Sequence, residues 1–368
     1  MYNENAIYQI ALTKLHHVGP STARLLMRIF GSPEKLFEKR SLKEKKNFRI
    51  KPAVWNSLED PALLRAAESE LNYVDKHNIR LHFFQDSDFP WRLNMHEDSP
   101  VLLYSRGHFR TNPERAIAVV GTRNMTEYGQ QLVENLLEHF QSDKVQVISG
   151  LAYGVDTAAH RYCVQYGIET IAVLGHGLDR TYPFSNRNLA ERIIEHGGLI
   201  TEFGKGTLPD RENFPMRNRI IAGLCDALVV VETKESGGSI ISAEIANSYH
   251  REVFAFPGNV FSDSSRGCHH LIRDLKAQLI THPNDLIKAM QWDLSHKPKK
   301  HIQMHLFDEL VDEEKQIVHM LYHDQPVAID ALHQSLNFSP SQLASLLLNL
   351  EMKGIIRTQP GKRYTLTP

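Results

Sequence analysis

A doubly wound α/β domain on a parallel sheet is the fold this sequence predicts, with a helical region before it and a winged-helix-like domain after it. Three observations carry that expectation. Seven short apolar runs, rich in Val, Ile and Leu, lie between residues 116 and 280. Helical segments alternate with them. A polar, basic stretch holding Pro298, LSHKPKKHIQ (294–303), then breaks the pattern, and a different one follows. Unbroken apolar runs suit strands buried on both faces, and strand–helix–strand repetition implies right-handed crossovers. The 368 residues allow two or three domains. The expected boundaries are 1–95 for the helical domain, 96–293 for the sheet domain, 294–304 for a linker and 305–368 for the last domain.

In chain order, residues 1 to about 95 read as helical, from Ile7, Leu12 and Leu15 through the amphipathic stretch Ala62–Val74. Within them, LHHVGPSTARLLMRIFG has a tight Gly19-Pro20 turn, Ser21 as a helix cap and an apolar face at Ala23, Leu26 and Met27. This is similar to a helix-hairpin-helix (or SAM-like) unit that grips DNA backbones, with His17 where the first glycine usually stands. A plain helical hairpin fits the same residues. The expected strands follow as AIAVVG (116–121), VQVISG (145–150), ETIAVLG (169–175), GLIT (198–201), DALVVVE (226–232), REVFAFPG (251–258) and AQLI (277–280). After the linker come three short helical patterns and IIRTQPGKRYTL, two extended runs around Pro360-Gly361. Helices closed by such a hairpin look like a winged helix.

Composition narrows the function. With 42 Lys+Arg against 43 Asp+Glu, a generally basic polyanion binder is excluded, and a nucleic-acid site has to be a local cluster. No apolar run reaches the ~18 residues of a membrane helix, and the start MYNENAIYQIALTKL lacks the pattern of a secretory signal. Three scattered cysteines (Cys163, Cys225, Cys268) build neither a disulfide framework nor a local zinc site, which fits a reducing cytosol. The 20 His are scattered and the sequence has no H-E-x-x-H, so no metal is expected.

The chemistry is expected at the carboxyl ends of the strands, where open α/β sheets bind ligands. Nearly every run ends in glycine or a polar turn, including Gly121-Thr122-Arg123, Ser149-Gly150, Gly175-His176-Gly177 and Gly237-Gly238-Ser239. Glycine at these ends lets a phosphate approach the amides of a helix start, so Ser149, Gly150, Gly237, Gly238 and Ser239 are candidate phosphate-loop residues. Neither G-x-G-x-x-G after the first strand nor G-x-x-x-x-G-K-[ST] occurs, which argues against dinucleotide redox chemistry and P-loop hydrolysis. In RENFPMRNRIIAG (211–223), Pro215 suits a first helical turn, and Arg217 and Arg219 lie just inside it, behind Arg211 and Phe214. An aromatic flanked by arginines holds a single strand with phosphates on the guanidiniums and a base on the ring. The alternative is that Phe214 belongs to the core and the arginines pair with nearby carboxylates.

At these residues the sequence resembles the DNA-processing protein A family (DprA/Smf). IAVVGTRNMTEYG is similar to the family's Gly-Ser-Arg segment, with Thr122 for serine. SGLAYGVDTAAH, VLGHGLDRTYP, NFPMRNRIIAG, VVVETKESGGSIISAEIA and FAFPGNV…SRGCHHLIRD follow in family order over residues 80–282. The resemblance implies a Rossmann-like sheet and a cytoplasmic, non-enzymatic homodimer without cofactor. It also implies that the protein binds and shields incoming single-stranded DNA in natural transformation and loads the recombinase RecA onto it. Carried over by position, the DNA site comprises Gly121, Thr122, Arg123, Arg211, Asn213, Phe214, Arg217, Asn218 and Arg219. The chain departs from the family at Tyr153 (usually a cation), Gly237 (commonly serine) and Leu275-Lys276 (usually Gly-Ala).

An enzyme is the rival reading. Gly237-Gly238-Ser239 with Glu244 is similar to the phosphate loop of nucleotide phosphoribohydrolases, where a carboxylate and an arginine, here Glu244 and Arg217, assist N-glycosidic cleavage. Glu235-Ser236 and Ile241 replace that loop's proline and threonine. The last domain is expected to bind protein rather than DNA. Its third helical pattern, 339–354, has no cation before Lys353, and residues 305–368 hold five basic residues against eight acidic, a net of -3.

Overall fold

The seven apolar runs become seven strands of one sheet. The computed structural model describes residues 5–38, 52–141, 144–292, 310–323, 326–336, 338–359 and 361–366. Its elements begin with helices α1 (Asn5–Thr13), α2 (Pro20–Phe30), α3 (Pro33–Glu38), α4 (Pro52–Leu58) and α5 (Pro61–Lys76). Strand β1 (Arg80–Phe83), a short α6 (Trp91–Asn94) and β2 (Leu102–Gly107) come next. The α/β alternation runs β3 (Arg115–Val120), α7 (Glu127–His139), β4 (Val145–Ser149), α8 (Val155–Tyr166), β5 (Thr170–Val173), α9 (Arg187–His196) and β6 (Gly197–Thr201). It continues through α10 (Asn213–Leu224), β7 (Ala227–Val230), α11 (Gly238–Ser248), β8 (Glu252–Ala255), α12 (Arg266–Arg273) and β9 (Gln278–Leu279). Then come α13 (Pro283–Ala289), α14 (Asp312–His323), β10 (Val327–Ala328), α15 (Ile329–Ser335), α16 (Pro340–Met352), β11 (Ile356–Gln359) and β12 (Arg363–Leu366).

The sheet order is β1-β2-β6-β5-β4-β3-β7-β8-β9. From β3 the chain steps through β4, β5 and β6 in one direction, then returns to β7 on the other side of β3. Right-handed crossovers therefore put α7–α9 on one face and α11 on the other, with α10 making the return. Strands β3 to β7 run parallel to one another, and their residues are almost wholly buried, as their unbroken apolar composition requires. The reversal beside β3 is the point where such sheets open a crevice at the strand ends.

Two predicted features change. The helical reading of residues 1 to about 95 misses β1, and β2 was not anticipated: β2 pairs antiparallel with both β1 and β6, extending the sheet to nine strands. β1 has four residues and alternates Arg80 and His82 with apolar ones, while β2, as long as β3, turns polar at Ser105 and Arg106, so neither makes a long apolar run. Helices α1 to α5 bury Ile10, Leu12, Leu26, Leu36, Trp55 and Leu58 in one core with Phe83, Leu102 and Tyr104 of those strands. The second change is at α2, whose N-cap is Gly19, with Pro20 in the first turn. Ser21 is not the cap: it lies inside the helix and donates to the Glu97 carbonyl (3.3 Å). His17, standing where the hairpin motif usually has glycine, adopts a left-handed φ of 62°.

The chain divides into two compact units, Met1–Tyr249 with Val253–Leu279, and His250–Glu252 with Ile280–Pro368. In the second, α14, α15 and α16 pack around Ile317, Leu321, Leu332, Leu343, Leu347 and Leu350 beside a sheet ordered β10-β12-β11. This is the predicted winged helix, with one further short strand. Its third helix starts on a capping box, Ser339 with Gln342. The predicted linker, 294–304, lies outside the described residues. Among the described residues no helix is long and apolar enough to cross a membrane.

Candidate nucleic-acid interface

A cavity of about 730 Å³ opens at the carboxyl ends of β3, β4 and β7, beside the start of α10. Each wall comes from a turn leaving a buried strand. Gly121, Thr122, Arg123 and Asn124 follow β3; Ala152 and Asp156 follow β4; Thr233 to Ser242 follow β7 and enter α11. Helix α10 and the chain before it contribute Arg211, Phe214, Arg217 and Asn218, and Tyr182 completes the rim.

Phe214 is half-buried and sits in the middle of this arrangement. Gly175 at the end of β5 makes room for it, since a Cβ there would approach the ring edge at 3.2 Å. Tyr182 packs at 5.9 Å between ring centroids, tilted by 42°. The guanidinium carbons of Arg123 and Arg217 lie 5.2 and 5.9 Å from the Phe214 ring centre. Arg123, Arg211 and Lys234 are exposed and make no ion pair among the described residues, so three such cations line the cavity that holds the ring.

Arg217 differs from them. It is buried, and its guanidinium donates to the carbonyls of Gly150 and Val173 (2.6 Å to the latter) and to Asn218 Oδ1 (3.2 Å). A Cβ on Gly150 would land on that guanidinium, which accounts for the glycine. Burial lowers the Arg217 pKa while the Asp156 carboxylate favours its charge; burial raises that of Asp156 while Arg217 opposes the rise. Together they form a nearly neutral support under the cavity. His160 beside them is pushed down to about 3 by burial and the Arg217 charge.

Of the residues predicted from sequence, Gly121, Thr122, Arg123, Arg211, Phe214, Arg217, Asn218, Gly237, Gly238 and Ser239 line this single cavity. Four others do not. Arg219 is buried and donates to the Glu202 carboxylate and the Asp98 carbonyl. Two residues along an α-helix rotate the side chain by roughly 200°, so Arg217 faces the cavity and Arg219 faces away. Asn213 turns back to the Leu208 carbonyl (3.0 Å). Ser149 is fully buried and bonds the Val119 carbonyl (2.7 Å), and Gly150 serves as an acceptor for Arg217, so both support the floor from below. Glu244, the rival reading's carboxylate, pairs with Lys276 (3.0 Å) and does not line the cavity.

Sequence reasoning missed Lys234, Tyr182, Asn124 and Asp156. Lys234 was legible in principle, because it follows a buried strand end as Arg123 does. Tyr182 comes from a loop with no periodicity to read.

Residues 80–291 match the family model for DNA recombination-mediator protein A, and residues 308–362 match that for the DprA winged helix domain. The chain is 41% identical to DNA processing protein DprA of Streptococcus pneumoniae over 207 residues, 56% of this chain and 73% of that protein. It is 31% identical to protein Smf of Escherichia coli, covering 81% of this chain and 80% of that one. Among solved structures, that of DNA processing protein A from Streptococcus pneumoniae superposes with a TM-score of 0.61 at 32% identity, over 78% of this chain and 98% of the other. DNA processing protein A from Helicobacter pylori, solved for its single-stranded DNA binding mode, gives a TM-score of 0.53 at 25% identity, over 58% and 95%.

Proposed function

Because the chain belongs to the DNA recombination-mediator protein A family, we propose that its strand-end cavity binds single-stranded DNA. The observation that carries this reading is one half-buried aromatic ring in a cavity of about 730 Å³ lined by three exposed cations that make no ion pair among the described residues. Phe214 offers a face for a base, and Arg123, Arg211 and Lys234 offer charge to phosphates. The Helicobacter pylori relative, described by its single-stranded DNA binding mode, supports the same ligand class.

Titrating oligothymidine across a salt series tests it. Three phosphate contacts give a log–log slope of about -2 for a single strand. Phe214→Ala is expected to weaken binding by about 5- to 150-fold, the range of one base stacked on one aromatic. The salt slope should stay unchanged, because the ring carries no charge. No binding of the wild type, or full affinity in Phe214→Ala, would overturn the assignment.

The family resemblance carries the reading further: a non-enzymatic cytoplasmic homodimer that shields incoming DNA during natural transformation and loads the recombinase RecA. The winged helix fits a protein-binding role within such an assembly. Lys353 is held by the buried Glu314 (2.7 Å) and Arg363 donates to the Pro326 carbonyl (3.1 Å). Helix α16 instead exposes Leu348 and Met352. Removing residues 305–368 should leave oligothymidine affinity within about threefold, since one or two remaining exposed cations contribute little at physiological salt. A clear loss of affinity in a truncated protein of unchanged oligomeric state would reverse this.

A further inference from the structure

Two helices start at the edge of the sheet that holds the cavity, and their N-termini are in opposite states. The start of α7 is already filled by the chain's own carboxylate: buried Glu232 accepts from the Thr126 amide (2.9 Å) and the Thr126 hydroxyl (2.6 Å). The start of α11 has no such partner. The amides of Gly238 and Ser239 donate to nothing among the described residues. Ser239 is only 5% exposed, yet its Oγ has no hydrogen-bond partner among the described residues. Gly238 and Ser239 both line the cavity, with Lys234 close by in sequence and on the same lining.

An orphaned buried hydroxyl is costly, and native structures almost always satisfy such groups. Here the orphan lies on a helix start, where free amides and the helix dipole both favour an anion. Space is left for one, since a Cβ placed on Gly238 would meet no protein atom within 4 Å. Resting on the single-strand reading, we propose that the start of α11 seats a phosphate monoester: the terminal phosphate of a strand, or of a mononucleotide. Two amides and one hydroxyl supply three donors. A monoester answers with three terminal oxygens and a charge near -2, whereas an internal diester offers two free oxygens and a charge of -1. The adjacent ammonium of Lys234 favours the more highly charged group.

The experiment compares oligothymidines of one length ending in 5′-hydroxyl, 5′-phosphate or 3′-phosphate, with thymidine monophosphate as a separate probe. One phosphorylated end should bind roughly tenfold tighter than the hydroxyl end. In Ser239→Ala the ratio between the two should collapse towards one. The thermal transition of that variant should hold or rise, because the substitution removes an unpaired buried hydroxyl. Equal affinities for phosphate and hydroxyl ends overturn the seat, as does a ratio that survives Ser239→Ala. If the hydroxyl-ended strand does not bind at all, the single-strand reading itself fails. Thymidine monophosphate then decides the seat alone, by raising the wild-type transition or leaving it unmoved.

Discussion

Asp226→Ala is expected to destabilise the sheet unit by about 3–5 kcal/mol, the cost of breaking a buried ion pair from one side. Arg92 on α6 and Asp226 at the foot of β7 are both buried, at 1% and 6% exposure. They meet through two parallel bonds, Nε to Oδ1 at 2.7 Å and Nη2 to Oδ2 at 3.0 Å. Asp226 Oδ2 also accepts from the Ala116 amide (2.9 Å), and Arg92 donates to the Glu114 carbonyl (3.1 Å). The pair thus fastens the approach to β3 to the approach to β7. Alanine at 226 removes the acceptor of a buried guanidinium and of a strand amide together. Replacing both partners with apolar residues, Arg92→Met with Asp226→Leu, should cost less than the single change, since no charge is then stranded. Urea unfolding checks both, and a single-variant loss below about 0.5 kcal/mol, the size of an ordinary surface change, would contradict the account.

Arg217→Met should destabilise by a similar 3–5 kcal/mol and lower DNA affinity with it. The guanidinium satisfies the carbonyls of Gly150 and Val173 at the ends of β4 and β5, and offsets the Asp156 charge. Methionine fills much of the volume but takes a donor from two buried carbonyls and the compensating charge from the buried Asp156 carboxylate. Arg123→Ala and Arg211→Ala, by contrast, change exposed groups and should stay within about 0.5 kcal/mol in stability. The two kinds of arginine separate by measuring melting and binding on the same proteins. Were Arg217→Met to melt like the wild type and only bind weakly, its role would be contact rather than support.

The parallel strands were readable because a strand buried on both faces has to be apolar at every position. The strand-end turns followed, as did the cavity. What stayed hidden was orientation. Arg217 and Arg219 look equivalent in RENFPMRNRIIAG, yet the helical rotation sends one under the cavity and the other to Glu202. Strands β1 and β2 were hidden for a different reason: polar residues interrupt their apolar runs, and the pairing of β2 with β6 joins residues far apart in the chain. Ser149 shows the same limit, because its hydroxyl turns to the Val119 carbonyl, a choice made by tertiary packing.

The guanidinium resting on Phe214 has a consequence for selectivity. A bare aromatic ring at a protein surface adheres to any greasy neighbour. With the Arg123 cation over it, the ring at rest presents a hydrated charge instead. Displacing that cover takes two things at once: a flat π face to replace the cation, and a negative group nearby to draw it aside. A lipid tail or an apolar side chain brings neither, and inorganic phosphate brings only the second. A nucleotide holds both on one rigid sugar, so on the proposed reading the site would act as a coincidence detector for a base that arrives with its phosphate attached.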